Sequence, residues 1–328
     1  MFRVKYHIQK EWASYLDLAK FLAITLVCVG HAYYFGDEMQ SKVRPIIYSF
    51  HMSLFMTMCG FFSHNSFLLP FKNFLIKKCK QLLVPSVAGS LLLAAIAYAN
   101  EGYARELYGG VWFLKCLFAC YIVVYISKKV IRNDVAACAI SSIAMLAIPY
   151  GGSLMINYYL LFFWTGYFLR KHYQWYDKHT KLITYLSLIV FTLLMLLGKG
   201  QAVDKVTLQT IISMPTYIVM EYIVGLAGSM LCLGICKTVC SIASPSKLID
   251  ELSNIGKYTL GIYVVQIFVL ERLAVAIPFF QVSEIGVLED LVILPIIGIV
   301  FTFISYYIVR FTSRSQWVNN MFYGGQYA

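Results

Sequence analysis

Ten apolar runs, each close to the length that crosses a bilayer as a helix, follow one another with only short polar loops between them. Their approximate cores are 15–35, 46–63, 82–99, 112–127, 135–150, 154–169, 182–198, 210–236, 258–280 and 289–311. About 17–25 apolar residues cover roughly 30 Å of hydrocarbon as an α-helix. Inside hydrocarbon each segment must also satisfy its own backbone polar groups. These constraints predict an all-α fold, a polytopic transmembrane helix bundle of about ten spans, with the lipid bilayer as its main solvent. A soluble fold is excluded, because 60% of the residues are hydrophobic and only 13% charged, against about 45–50% and about 25% in soluble domains.

Loop charge sets the expected orientation, since Lys and Arg gather on the cytoplasmic side. One alternate set of loops holds 19 basic residues, including Lys72, Lys77, Lys78 and Lys80, then Lys128, Lys129 and Arg132, then Arg170 and Lys171. The other set holds five, Lys42, Arg44, Arg105, Lys199 and Lys205, against eight acids that include Glu101 and Asp204. Both termini are therefore expected in the cytoplasm. The same placement explains the net charge of +11 without a nucleic-acid partner, because no basic stripe or aromatic stacking module accompanies it.

The basic N-terminal segment and following apolar run superficially resemble a secretory signal. Asp17 and Lys20 interrupt that run early, so a retained first helix is expected. The chain shows no internal repeat, and no loop is long enough for a second domain. Residues 1–328 are read as a single integral membrane domain. The nine cysteines form no CxxC pair, and the spaced pairs lack nearby His or carboxylate partners, so they read as buried small hydrophobes and no metal site is expected.

Ionisable residues inside apolar spans are costly and point to function. In the first run Asp17, Lys20 and His31 are spaced by three and eleven residues, which returns them to one helix face. Lys20 and His31 stand roughly 16 Å apart along the axis at about 1.5 Å per residue, so they mark two depths of one polar stripe. Asp17 can neutralise Lys20. His51, entering on the second helix, falls at a depth comparable to His31, and paired imidazoles suit proton transfer near neutral pH. A bland alternative stays open: an Asp17/Lys20 pair snorkelling to the interface and interfacial histidines. Lys115, Glu221, Glu271 and Arg272 are weaker polar candidates, each open to a purely structural pairing.

The run Leu16-Asp17-Leu18-Ala19-Lys20 through Val29-Gly30-His31, then Phe50-His51-Met52-Ser53-Leu54-Phe55 through Cys59-Gly60-Phe61-Phe62, resembles the acyltransferase-3 family of integral membrane acyltransferases. Later pieces agree: Lys80-Gln81-Leu82-Leu83-Val84-Pro85, Trp112-Phe113-Leu114, Gly166-Tyr167-Phe168-Leu169 with Arg170-Lys171, and Ile255-Gly256-Lys257-Tyr258-Thr259-Leu260-Gly261-Ile262-Tyr263. Within that family the chain is similar to the compact sugar O-acetylases, such as the fucose 4-O-acetylase-like branch. Two departures stand out, Gln266 where members often carry histidine and Ser53 where a proline is usual.

The resemblance implies a bacterial inner-membrane O-acyltransferase. It would move an acetyl group from acetyl-CoA, its donor substrate, to a hydroxyl of a surface or lipid-linked carbohydrate, with no bound cofactor. It implies His31 as general base, His51 as its orienting or relaying partner, and Asp17 holding Lys20. Lys20, Lys77, Lys78, Lys80, Arg170 and Lys171 are the candidate donor-binding residues, and Lys115 a candidate oxyanion partner. The alternative from the residues is a polytopic transporter or flippase for a lipid-linked sugar or small solute.

Overall fold

A computed structural model describes residues 2–98, 103–147, 155–198, 206–243 and 246–327. The turn Tyr150-Gly151-Gly152-Ser153 and the loop charges Glu101, Lys199, Asp204 and Lys205 lie outside the described residues. Among the described residues every regular element is helical. In chain order they are α1 (Phe2–Ala32), α2 (Val43–Tyr48), α3 (His51–Phe62), α4 (Phe71–Lys78), α5 (Val84–Ala97), α6 (Tyr103–Gly109), α7 (Trp112–Val130), α8 (Asp134–Leu146), α9 (Ile156–Lys171), α10 (Tyr173–Leu196), α11 (Leu208–Ser213), α12 (Pro215–Ile242), α13 (Lys247–Gly256), α14 (Thr259–Phe268), α15 (Leu294–Thr312) and α16 (Gln316–Tyr323).

Among the described residues, six segments are long and apolar enough to cross a membrane: Ser14–Phe35, Val43–Phe62, Phe71–Ala97, Tyr173–Leu196, Pro215–Ile242 and Glu289–Thr312. The chain is thus a multi-pass helical membrane protein. Four of the ten apolar runs form helices that fall short on length or apolarity. Lys115 and the Lys128–Lys129 pair cut the apolar window of α7, while α8 and α9 have 13 and 16 residues. The run 258–280 breaks, because α14 passes into a π-helical turn at Val269–Ala274 that carries Glu271 and Arg272.

Two other runs differ in detail. The second divides into α2 and α3 at Ser49–Phe50, where Ser49 Oγ donates to the Ile46 carbonyl at 2.7 Å and competes with the helical ladder. The third begins earlier than its apolar core, since α4 continues through a π-helical turn at Cys79–Leu83 into α5. Pro85 sits in the first turn of α5, where the missing N–H costs least.

Contacts group the chain into two compact units. The first comprises Met1–Phe55, Gln174–Ala202 and Ile223–Val309. In it α1 buries Leu16, Ala19, Ala23, Ile24, Val27 and Cys28, a spacing of three and four that lays one helix face inward. Small residues bring neighbours close: a Cβ on Gly256 would collide with the Asp17 carbonyl oxygen, and one on Gly298 with the Val29 backbone. Helix α10 does the reverse and exposes Leu182, Leu186 and Leu193, which suits a surface solvated by lipid.

The second unit comprises Met56–Tyr173, Val203–Tyr222 and Arg310–Ala328. Gly60 of α3 and Gly166 of α9 form a reciprocal backbone contact. A Cβ on Gly60 would strike the Phe163 carbonyl, and one on Gly166 the Thr57 carbonyl. Such small-residue seams let membrane helices pack by dispersion, where no hydrophobic force favours association. Beside this seam Phe67, Phe74, Tyr121, Tyr125 and Phe163 interlock; Phe74 stacks on Tyr125 with centroids 4.2 Å apart, and Tyr121 meets Phe163 edge-on at 4.9 Å.

Candidate functional site

Helix α1 delivers His31 in its last turn, within the first unit. His31 Nδ1 lies 2.8 Å from Glu271 Oε1 and 2.9 Å from Gln266 Oε1. Gln266 is fully buried and donates from Nε2 to the same Glu271 oxygen at 3.2 Å. Arg272 Nη1 stands 4.0 Å from the other carboxylate oxygen. With Nδ1 protonated toward the carboxylate, the lone pair resides on Nε2, the tautomer a general base requires. Gln266, the departure from the family's histidine, thus has a place in the constellation, since it bonds to both partners of the pair.

A change of helix type lies beside these groups. Gln266 stands near the end of α14 and Glu271 in the π-helical turn Val269–Ala274 that follows, and the Gln266 amide reaches the carboxylate across that junction.

Aromatic rings wall the histidine. The His31 ring stacks on Tyr34 at 5.5 Å and 19°, and Tyr48 lies at 6.5 Å. Arg44 places its guanidinium carbon 4.1 Å above the Tyr48 ring and 5.5 Å from the Tyr34 ring, and pairs with Glu38 at 2.6 Å. His51 is buried; its Nδ1–H donates to the Ile47 carbonyl at 2.8 Å, and its ring meets Tyr48 edge-on at 4.9 Å. Tyr48 therefore contacts both imidazoles.

Asp17 and Lys20 pair at 2.8 Å, toward the other end of the same helix from His31. Their backbone lies against α13, where Gly256 leaves room for the Asp17 carbonyl.

The remaining basic candidates belong to the second unit. Lys77 and Lys80 are exposed, but Lys78 is buried with Nζ 3.6 Å over the Tyr121 ring, a cation–π arrangement. Arg170 lies 5.6 Å over the Phe61 ring. Lys171 and Lys128 both bind Asp134, at 2.7 and 2.6 Å, and the Tyr167 hydroxyl donates to Asp134 at 2.9 Å. Partial burial pushes the Asp134 carboxyl up, but hydrogen bonds from Lys128, Lys171 and Tyr167 overcome this and hold it down at about 2. Lys171 is raised by its hydrogen bond to Asp134. His64, stacked against Tyr167 at 6.2 Å, is lowered by burial and by the charges of Arg170 and Lys128. Lys115 donates to the Leu107 carbonyl at 3.0 Å. Glu221 is buried, and neither carboxylate oxygen has a hydrogen-bond partner among the described residues.

Sequence reasoning missed Tyr34, Arg44 and Tyr48, and gave Glu271 only a minor place. A signal for Glu271 existed, since an acid beside Arg272 in an apolar run has a high cost unless paired. No spacing rule pointed to His31 as its partner.

The acyltransferase domain profile matches residues 13–310. The chain is 26% identical over 179 residues to "Nodulation protein NolL" of Mesorhizobium japonicum, an alignment that covers 48% of this chain and 48% of that protein. The chain thus spans about half the length of this curated relative. No solved structure matches. With the profile spanning nearly the whole chain, from the stripe on α1 through α15, the chain belongs to the acyltransferase-3 family of enzymes.

Proposed function

We propose that this chain is a membrane O-acyltransferase that moves an acetyl group from acetyl-CoA to a hydroxyl of a surface or lipid-linked carbohydrate, with His31 as general base. The observation that carries this reading is the bond from His31 Nδ1 to Glu271, buttressed by Gln266. A carboxylate on Nδ1 orients the ring and stabilises the imidazolium that forms during proton transfer, as in other His–carboxylate pairs.

In the reaction His31 Nε2 takes the proton of the acceptor hydroxyl as its oxygen attacks the thioester carbonyl. The tetrahedral intermediate collapses, the C–S bond breaks, and the imidazolium returns the proton to the thiolate, releasing CoA. Basic residues suit the donor's phosphates. Lys77, Lys80 and Lys171 are the exposed candidates, Lys171 being paired with Asp134, and Arg170 is half-buried. Lys78 serves there only if it leaves the Tyr121 ring. Lys20, paired with Asp17, is assigned to the path of the thioester arm. Lys115 as an oxyanion partner requires release from Leu107. His51 is assigned to orienting the site through Tyr48.

The same proposal takes residues 1–328 as one membrane domain in the bacterial inner membrane, with about ten spans and both termini in the cytoplasm. The alternation of basic loops supports this orientation.

The test is transfer of radiolabelled acetyl from acetyl-CoA to glycans extracted from the host, by purified wild type and His31→Ala. Turnover by wild type alone is expected. Tight binding of glycan with acetyl-CoA left intact by both proteins would instead favour a transporter.

A further inference from the structure

Arg44 is a cation that the proposed reaction does not use, yet it shares both aromatic walls with the general base. Tyr34 and Tyr48 each contact the His31 ring, and the Arg44 guanidinium lies over Tyr48 and beside Tyr34. Its Nε is buried and has no hydrogen-bond partner among the described residues. A guanidinium offers five donors in a planar fork that matches a carboxylate or phosphate. Glu38 occupies part of that fork through its buried Oε2, on a side chain that is 35% exposed as a whole. It lies in a 3-10 turn, Glu38–Gln40, whose preceding Asp37 caps the turn by accepting from the Met39 N–H.

The arginine is also held in place from behind. The buried Asp290 carboxylate accepts from Ser41 Oγ at 2.5 Å and from the Lys42 N–H at 2.9 Å, and Ser41 Oγ in turn accepts from the Arg44 N–H at 2.9 Å. The Tyr33 hydroxyl donates to the Asp290 carbonyl at 2.7 Å. One residue thus anchors both the start of α2, which carries Arg44 and Tyr48, and the turn that carries Tyr34. A charge built into a site at this cost in ordering has a use when a ligand of opposite charge reaches it.

From these contacts we infer that Arg44 is the specificity-determining residue for an acceptor that carries an anionic group, a carboxylate or a phosphate, near the hydroxyl that is acylated. Glu38 is the internal stand-in that this group displaces. The inference rests on the acyl-transfer reading for the hydroxyl, but the binding it describes is independent of turnover.

The experiment measures binding by calorimetry to purified wild type, Arg44→Gln, Arg44→Lys, Glu38→Gln and His31→Ala. Three probes are used: a hexuronate oligosaccharide, the same oligosaccharide with its carboxylates reduced to alcohols, and a polyprenyl-diphosphate-linked hexose. A charge-assisted hydrogen bond contributes about 1.5–3 kcal/mol, so Arg44→Gln is expected to weaken an anionic probe about 10-fold to 100-fold and leave the neutral probe unchanged. Arg44→Lys should fall between, because it keeps charge but loses the fork. Glu38→Gln should tighten anionic binding, a gain that misfolding cannot produce. The probe that responds, uronate or diphosphate, identifies the source of the anion. Equal binding of charged and neutral glycans by wild type, absence of anionic binding by wild type, or equal loss of both probes in Arg44→Gln would overturn the inference. His31→Ala should still bind the anionic probe; if it binds while wild type transfers no acetyl, the acyl-transfer reading fails and the anion site stands.

Discussion

Glu271 Oε1 lies 2.8 Å from His31 Nδ1 and 3.2 Å from Gln266 Nε2, so one carboxylate oxygen serves both the imidazole and the amide behind it. Replacing Glu271 with Gln preserves size but removes the charge and lets the amide favour the wrong tautomer. A mispositioned or mistautomerised base costs about 100-fold to 10,000-fold in kcat in comparable His–carboxylate systems. Steady-state kinetics of Glu271→Gln should therefore show a large kcat loss with the acetyl-CoA KM little changed. A change confined to KM would place Glu271 in substrate binding instead.

That pair also marks where sequence reading ends. The polar stripe on α1 is legible because a charged residue in an apolar run is conspicuous and its spacing on a helix is calculable. Glu271 is equally conspicuous, but it lies in a π-helical turn past the end of α14, and no periodicity in 258–280 announces that change of helix type. Arg44 is hidden for another reason. It reads as an ordinary loop cation, whereas α2 starts at Val43 and sets Arg44 and Tyr48 four residues apart on one helix, with the guanidinium over the ring. Lys78 shows the opposite case, a residue in a basic run that looks solvated and is buried under a ring. The all-helical membrane fold was open to inspection because bilayer thickness and backbone satisfaction leave few choices.

Gln266→Ala gives a graded version of the first test. The fully buried amide is removed while the carboxylate and imidazole stay. Losing one buried hydrogen-bonding partner costs about 1–3 kcal/mol, and the freed Glu271 holds His31 less firmly. Activity is expected to fall by about tenfold, less than in Glu271→Gln. Gln266→His, which restores the family's usual residue, should retain more activity than Gln266→Ala; assays of the two variants side by side check this order.

Asp290 should matter to both stability and acceptor binding. Asp290→Ala removes the acceptors of Ser41 Oγ and the Lys42 N–H, a loss of about 2–3 kcal/mol for buried partners. A lower Tm in detergent is expected, together with a rise in acceptor KM that exceeds any change in acetyl-CoA KM. Asp290→Asn retains one acceptor oxygen and should recover part of both. Equal changes in the two KM values would assign Asp290 to general stability alone.

The Gly60–Gly166 seam predicts a packing defect within the second unit. Gly166→Ala places a Cβ against the Thr57 carbonyl, which is backbone and cannot rotate away. Overpacking of this kind costs about 1–3 kcal/mol. Thermal unfolding in detergent should show the loss, and Gly60→Ala should show a similar one. In the double variant the losses should fall short of additive, because a seam already forced apart by one Cβ accommodates the second more cheaply.

Asp134 gives a pH dependence with a definite sign. Its carboxyl drops from an ordinary 3.8 to about 2 in the folded protein, through hydrogen bonds from Lys128, Lys171 and Tyr167 that outweigh partial burial. A group with a depressed folded-state pKa stabilises the fold above its unfolded pKa and ceases to do so as pH falls through the folded one. The contribution is therefore complete above about pH 4 and is lost toward pH 2. Solvent screening of a part-exposed cluster reduces it to about 1 kcal/mol. Asp134→Asn should accordingly be less stable than wild type at pH 7, with the gap narrowing between pH 4 and pH 2. Tm measured in detergent across that range checks it, and a gap that stayed constant with pH would show that the carboxylate charge is not what binds Lys128 and Lys171 into the cluster.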